Sequence, residues 1–135
     1  MTVVGASVVI ANLARVRQWA VEVTDEELAS AAEFGANFTR AIAPIDTGAY
    51  RFGGVSRSGT VVPNGITFQR VSMGMTLAWA WGTPAPYGRR LELGFRGRDS
   101  LGRFYDDPAR PHFGPSMDPT ADYFIGRMLE RGFSR

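Results

Sequence analysis

Asp46, Thr47 and Gly48 lie inside the run Ala43-Pro44-Ile45-Asp46-Thr47-Gly48-Ala49-Tyr50-Arg51, and an acid, a hydroxyl and a glycine in that order serve two different chemistries. One is catalytic: an aspartate in such a triplet works as one of a proton-sharing pair in aspartic proteases. The other is conformational, because Asp and Thr side chains bond nearby backbone and glycine supplies unusual dihedrals. The triplet occurs once, and a helical pattern ended by Pro44 precedes it where a protease would need a strand. Pro44, Asp46, Thr47, Gly48 and Arg51 are therefore read as a structural corner.

The remaining chemical inventory is short. His112 is the only histidine and stands among Arg110, Pro111 and Phe113. A general base needs a positioned partner and a metal needs a second ligand at suitable spacing, so His112 reads as a packing or hydrogen-bonding residue. Asp106 and Asp107 would point to opposite faces of a strand, or face solvent in a loop. Cysteine is absent, which removes thiolate chemistry and cysteine-ligated metals. No phosphate-binding glycine pattern precedes a helix. The expectation is a protein that is not an enzyme, with no catalytic, cofactor-binding or metal-binding residues and no cofactor.

Charge is the next signal. All 15 basic residues are arginine, against 13 acids and a net charge of +2. Arg89, Arg90, Arg96, Arg98 and Arg103 cluster around Glu92 and Asp99, interleaved with Tyr87, Phe95, Phe104 and Tyr105. Asp25, Glu26 and Glu27 lie in an acidic stretch between Glu22 and Glu33. Arginine pairs bidentately with carboxylates and phosphates, and aromatic rings stack on bases, so the cluster is competent for nucleic acid. The small net charge favours a protein partner instead. The five arginines then form a subunit or partner interface, with Asp25, Glu26 and Glu27 of another copy as the acidic counter-face.

The elements that must position these residues read as follows. A chain of 135 residues with 44% apolar content forms one domain. Residues 1–23 read as an arm or strand around Val8-Val9-Ile10-Ala11 and a short helical piece in which Leu13, Val16 and Ala20 share a face. Neither an export signal nor a membrane span is recognisable there. Thr24 with Glu27 resembles a capping box and opens a long helix over 25–43, with Leu28, Ala31, Ala32, Gly35, Phe38 and Ile42 on its apolar side. Strands are expected near Tyr50–Arg57, Thr67–Ser72 and Thr76–Trp81, separated by turns at Pro63-Asn64-Gly65 and Met73-Gly74-Met75. Residues 86–94 are short helix or extended chain, and Arg96–Phe104 is an arginine-rich hairpin tip centred on Asp99-Ser100-Leu101-Gly102, which closes a sheet region over 50–105. Pro108, Pro111 and Pro115 keep the following chain extended. A last helix over 118–131 has Asp118 as its cap, an apolar side of Ala121, Phe124, Ile125, Met128 and Leu129, and Gly132 as its stop. The fold class is α+β: a long helix packed on an antiparallel sheet of about four strands, with a C-terminal helix.

In this order the elements resemble a known family, the small head-to-tail joining, or neck and tail-completion, proteins of long-tailed bacteriophages. Ala43 through Arg51 is similar to the family's Ala-Pro-x-Asp-Thr-Gly-x signature followed by Leu or Tyr and then Arg. Pro86-Tyr87-Gly88 through Leu91-Glu92-Leu93-Gly94 resembles its Tyr-Ala-x-x-x-Glu-x-Gly block, and Arg110-Pro111-His112-Phe113-Gly114-Pro115 its Arg-Pro-Phe-x-x-Pro block. The chain departs at Gly88, where alanine is common, and at His112, inserted before Phe113. The resemblance implies a structural virion protein without enzymatic activity, assembled in the host cytoplasm into a homo-oligomeric ring that joins the DNA-filled head to the tail. Implied partners are other copies of itself, with Tyr87 and Glu92 near a sheet edge or subunit contact, and the neighbouring connector and tail proteins, with a passing contact to DNA in the ring lumen as an open alternative and no membrane. A tail-terminator ring or a portal-side adaptor or stopper is the near alternative. A small arginine-rich nucleic-acid-binding module is the alternative of another class.

Overall fold

From Ala6 to Phe34 the sequence holds neither glycine nor proline, and Leu13, Val16, Ala20, Val23, Glu27 and Ala31 recur at helical spacing on one face. The computed structural model describes residues 6–71 and 76–133, with side chains from residue 12 onward. In it this whole stretch is one helix, α1, running Ala6–Ile42 over 37 residues, about 55 Å at 1.5 Å per residue. The expected boundary at Thr24 is therefore corrected. Thr24 and Asp25 lie in mid-helix, and the segment around Val8–Ala11 is helical rather than an arm or strand. A cap needs a chain break before it, and Glu22-Val23 supplies none.

Pro44 ends the helix as expected, with the Ala43 amide donating to the Thr39 carbonyl in its last turn. The chain then turns at Gly48 (φ 87°) into a single helical turn, α2, Ala49–Phe52, where the sequence suggested a strand. Gly48 in the left-handed region starts the turn, and Tyr50 is buried by it at 6% exposure. Only Gly54–Val55 of the expected Tyr50–Arg57 strand is extended; this is β1, paired antiparallel with β2, Val61–Val62. The Pro63-Asn64-Gly65 turn is present, with Asn64 at φ 60° and Gly65 at φ 62°. A side chain at Gly65 would collide with the Arg51 backbone at 2.5 Å.

β3, Thr67–Arg70, pairs antiparallel with β4, Trp79–Gly82, placing Phe68 opposite Trp81. The expected turn at Met73-Gly74-Met75, and Ser72 before it, lie outside the described residues. The segment left open at 86–94 contains a short helix, α3, Gly88–Leu93. The arginine-rich hairpin forms as expected from β5, Phe95–Arg98, and β6, Phe104–Asp107. A last helix, α4, spans Met117–Glu130, with Asp118 in its first turn rather than at its cap. Past its end the Gly132 and Phe133 amides donate to the Leu129 and Met128 carbonyls, the Schellman pattern that glycine permits.

The fold is α+β, with the long and C-terminal helices in place. The single antiparallel sheet of about four strands is not: among the described residues the strands form three separate two-stranded pairs. Helix α1 packs against α4 and the β3–β4 pair, and its approach to β4 is close at Gly35, where a Cβ would lie 2.7 Å from the Trp81 ring. The core joins Ala36 and Ala43 of α1 to Tyr50, Val62, Ile66 and Ala85, with Phe68, Trp81, Tyr87, Leu91 and Phe113 packed around it. No helix among the described residues is long and apolar enough to cross a membrane.

Candidate functional site: a junction of three sequence blocks

The corner between α1 and α2 is held by its own polar side chains. Arg51 donates from Nε (2.8 Å) and from Nη2 to the Ala43 carbonyl, placing a cation at the negative end of α1. Thr47 Oγ1 accepts the Ala49 amide at 3.3 Å and donates to the Val55 carbonyl at 3.2 Å. Asp46 pairs with Arg57 at 2.5 Å on the surface. Each of these residues works on local backbone or a surface partner, which fits a corner.

Glu92 near the end of α3 is tied to a segment 20 residues later. Its Oε2 accepts the amides of His112 (2.8 Å) and Phe113 (3.0 Å), and its Oε1 accepts that of Gly114 (2.9 Å). Burial pushes the Glu92 pKa up, but the three amides and the nearby His112 outweigh it and hold the carboxyl below its ordinary value. Three converging N–H groups form a nest that selects the ionised form.

His112 completes the connection. It is fully buried, and its Nδ1 donates to the Arg110 carbonyl at 2.7 Å. With the proton assigned to Nδ1 by that bond, Nε2 accepts from the Tyr50 hydroxyl at 2.5 Å. Burial, and then the Glu92 charge, push the Tyr50 phenol well above its ordinary pKa, so it stays a neutral donor. The Tyr50 ring also lies against those of His112 (5.3 Å) and Tyr87 (5.6 Å). Residues 43–51, 86–94 and 110–115, far apart in sequence, thus meet in one knot. A family-model scan, a search of curated proteins and a search of solved structures return no match. Glycine at position 88 has a local reason, since a Cβ there would lie 2.8 Å from Thr83 Cγ2.

Beside the knot is a cleft of about 440 Å³ whose walls include Pro44, Ile45, Asp46, Tyr87, Leu91 and Arg110. Its apolar walls and arginine rim can receive a side chain of a protein partner. Among the described residues no three His, Asp or Glu side chains group as metal ligands.

The arginine cluster is only partly available to a partner. Arg90 donates to Asp107 at 2.6 Å and stacks over Phe95 and Tyr105 at 4.6 and 4.5 Å. Arg103 pairs with Asp99 at 2.6 Å, and Asp99 also accepts the Leu101 and Arg103 amides, building the hairpin tip. Arg98 donates to the Gly102 carbonyl at 2.8 Å. Arg89 and Arg96 have no such partner among the described residues. Tyr87 belongs to the core margin and Glu92 to the knot, so neither is a free interface group.

The acidic counter-face is corrected more fully. Asp25 accepts from Arg70 (2.9 Å) and from Trp79 Nε1 (3.0 Å), tying α1 to β3 and β4. Glu27, 2% exposed, is clamped by Arg127 at 2.9 Å and Arg131 at 2.8 Å, and Glu26 pairs with Arg131 at 3.1 Å. The bond from Arg127 holds the Glu27 pKa below its ordinary value against the effect of burial. Glu27, buried under α4, cannot face a neighbour and Asp25 is held by β3 and β4, whereas Glu26 keeps an exposed side chain beside its bond to Arg131.

Sequence reasoning missed Tyr50 and His112 as a bonded pair. The signal was there in part: a lone histidine beside Phe113 inside a block, and a tyrosine directly after the corner.

Proposed function

We propose that this protein is a structural subunit of a homo-oligomeric ring in the neck of a long-tailed bacteriophage, joining the DNA-filled head to the tail. The observation that carries the reading is the three-block knot. The three blocks that carry the family resemblance bond to one another, through Glu92 and the amides of 112–114 and through Tyr50 and His112, the residue at which the chain departs from the family pattern. Glu92 accepts main-chain amides and Tyr50 bonds a fully buried ring, so these side chains are spent on the fold. Supporting it, Leu13 and Val16 along α1, and Met117, Ile125 and Leu129 along α4, are large apolar residues left exposed in rows on single helix faces, and contiguous apolar surface marks an interaction site.

Electron microscopy of particles assembled without the protein tests the proposal. Tailless heads beside free tails support it, and normally tailed particles overturn it. The position of the ring in complete particles separates a head-side adaptor or stopper from a tail terminator. The nucleic-acid reading draws on Arg89 and Arg96, which have no ion-pair partner among the described residues, and predicts DNA binding by the isolated chain that falls steeply with salt. A gel shift at two salt concentrations decides it.

A further inference from the structure

The apolar stripe of α1 outruns the helix that covers it. Helix α4 lies antiparallel on α1, with Arg127 on Glu27, Tyr123 bonded to Ser30 and stacked on Phe34 at 4.6 Å, and Thr120 beside Gly35. Among the described side chains the last ring contact towards the N-terminus is the stack of Trp19 on Phe133 at 5.1 Å. Before it, residues 6–18 continue as helix for about 20 Å. Leu13 and Val16, 64% and 59% exposed, stand on the face that is buried from Val23 onward. Arg17, one turn from Leu13, flanks that stripe and has no partner among the described residues.

A second uncovered face lies on α4. Met117, Ala121, Ile125 and Leu129 form a row along its outer side, all exposed. Asp118 and Asp122 form a parallel acidic row beside it, also exposed and without an intrachain partner among the described residues. The row from 117 to 129 is about 18 Å long, close to the length of the overhang. One face is apolar with a basic edge, and the other is apolar with an acidic edge. A single chain cannot join them, because α4 uses its inner side to hold α1 and turns its outer side away.

We infer that the overhanging N-terminal third of α1 in one copy docks on the outer face of α4 in the next, with Leu13 and Val16 against the Met117–Leu129 row and Arg17 against Asp118 or Asp122. The contact joins two different surfaces of the same chain, so it is head-to-tail and closes into a ring when the rotation per step allows. The inference rests on the ring reading above and names the surfaces that would build the ring.

Disulfide trapping in the full-length protein tests it, and the absence of native cysteine makes the readout clean. Leu13→Cys and Ile125→Cys proteins are prepared separately and mixed under mild oxidation, with circular dichroism confirming that each is folded. The expected result is a covalent dimer in the mixture and little in either protein alone. The double variant should give a ladder of covalent oligomers, because within one chain the two sites lie about 25 Å apart along α1, out of disulfide reach. Arg17→Asp or Asp122→Arg alone should weaken self-association at least tenfold by light scattering, and the two together should recover it. If the mixture does not cross-link while the unmodified protein is oligomeric, the docking inference fails and the ring reading stands. If the unmodified protein is monomeric and nothing cross-links, both fail. Leu13→Cys protein that cross-links to itself as readily as the mixture overturns the head-to-tail arrangement.

Discussion

Replacing Glu92 should damage this protein more than any other single change at its surface-near acids. Its carboxylate accepts three backbone amides at 2.8–3.0 Å, and hydrogen bonds to a charged acceptor are worth about 1.5–3 kcal/mol each. Gly114 is exposed and can recover a water, so two amides carry most of the loss. Glu92→Ala should therefore cost about 3–4 kcal/mol, and Glu92→Gln, which keeps one carbonyl oxygen but turns an amide group toward a donor, about 1–2 kcal/mol. Urea unfolding followed by tryptophan fluorescence measures both, since Trp81 packs on the core. The pH dependence gives a second handle. The folded pKa of Glu92 lies below its ordinary value of 4.5, so its contribution is fully present above that value and is lost as pH falls through the folded pKa. Glu27 titrates in the same direction, but it is common to both proteins. The stability gap between the unmodified chain and Glu92→Gln should thus close in acid. A cost under about 1 kcal/mol for Glu92→Ala, or a gap that does not narrow with acid, would refute the role given to this carboxylate.

Three further outcomes are expected. Tyr50→Phe removes the hydroxyl that donates to His112 Nε2 and should cost about 1–2 kcal/mol; in a double-mutant cycle with His112→Phe, the two losses should sum to more than the double variant loses. Gly35→Ala should destabilise by about 1–3 kcal/mol despite alanine's better helix propensity, because its Cβ would meet Trp81 at 2.7 Å; a shifted Trp emission in the folded state would accompany it. Glu27→Gln should lower the thermal midpoint by roughly 5 °C or more and flatten acid unfolding, since the Glu27 pKa is held low and its stabilisation is present above 4.5 and lost below.

The corner, the arginine hairpin and the end of α4 were legible because each is written in local backbone chemistry: Pro44 and Gly48, the Asp99-to-Gly102 tip, and Gly132. The start of α1 was not. Thr24-Asp25-Glu26-Glu27 has the composition of a capping box, but Glu27 is acidic to hold Arg127 and Arg131, about a hundred residues away in sequence. The same long-range demand hid the fate of the acidic stretch. Tyr50 read as a strand residue by propensity, whereas burial beside His112 requires the helical turn. Strand propensity could mark Thr67–Arg70 and Trp79–Gly82 but could not say that each strand has one partner. Within the knot, the blocks were visible as blocks. Their bonding was not, because what Glu92 recognises is main chain.

That main-chain recognition sets what the 112–114 segment can become over evolutionary time. Glu92 takes the main-chain nitrogens of all three residues, but it also lies 3.1 Å from the buried His112 ring and 3.3 Å from where a Cβ on Gly114 would sit, so Phe113 is the position it reads through its nitrogen alone. Proline is the one residue type barred from all three positions by this carboxylate, since it has no N–H to give. The chain places its prolines at Pro111 and Pro115, immediately outside the three donors, where they stiffen the approach and the exit without removing a bond.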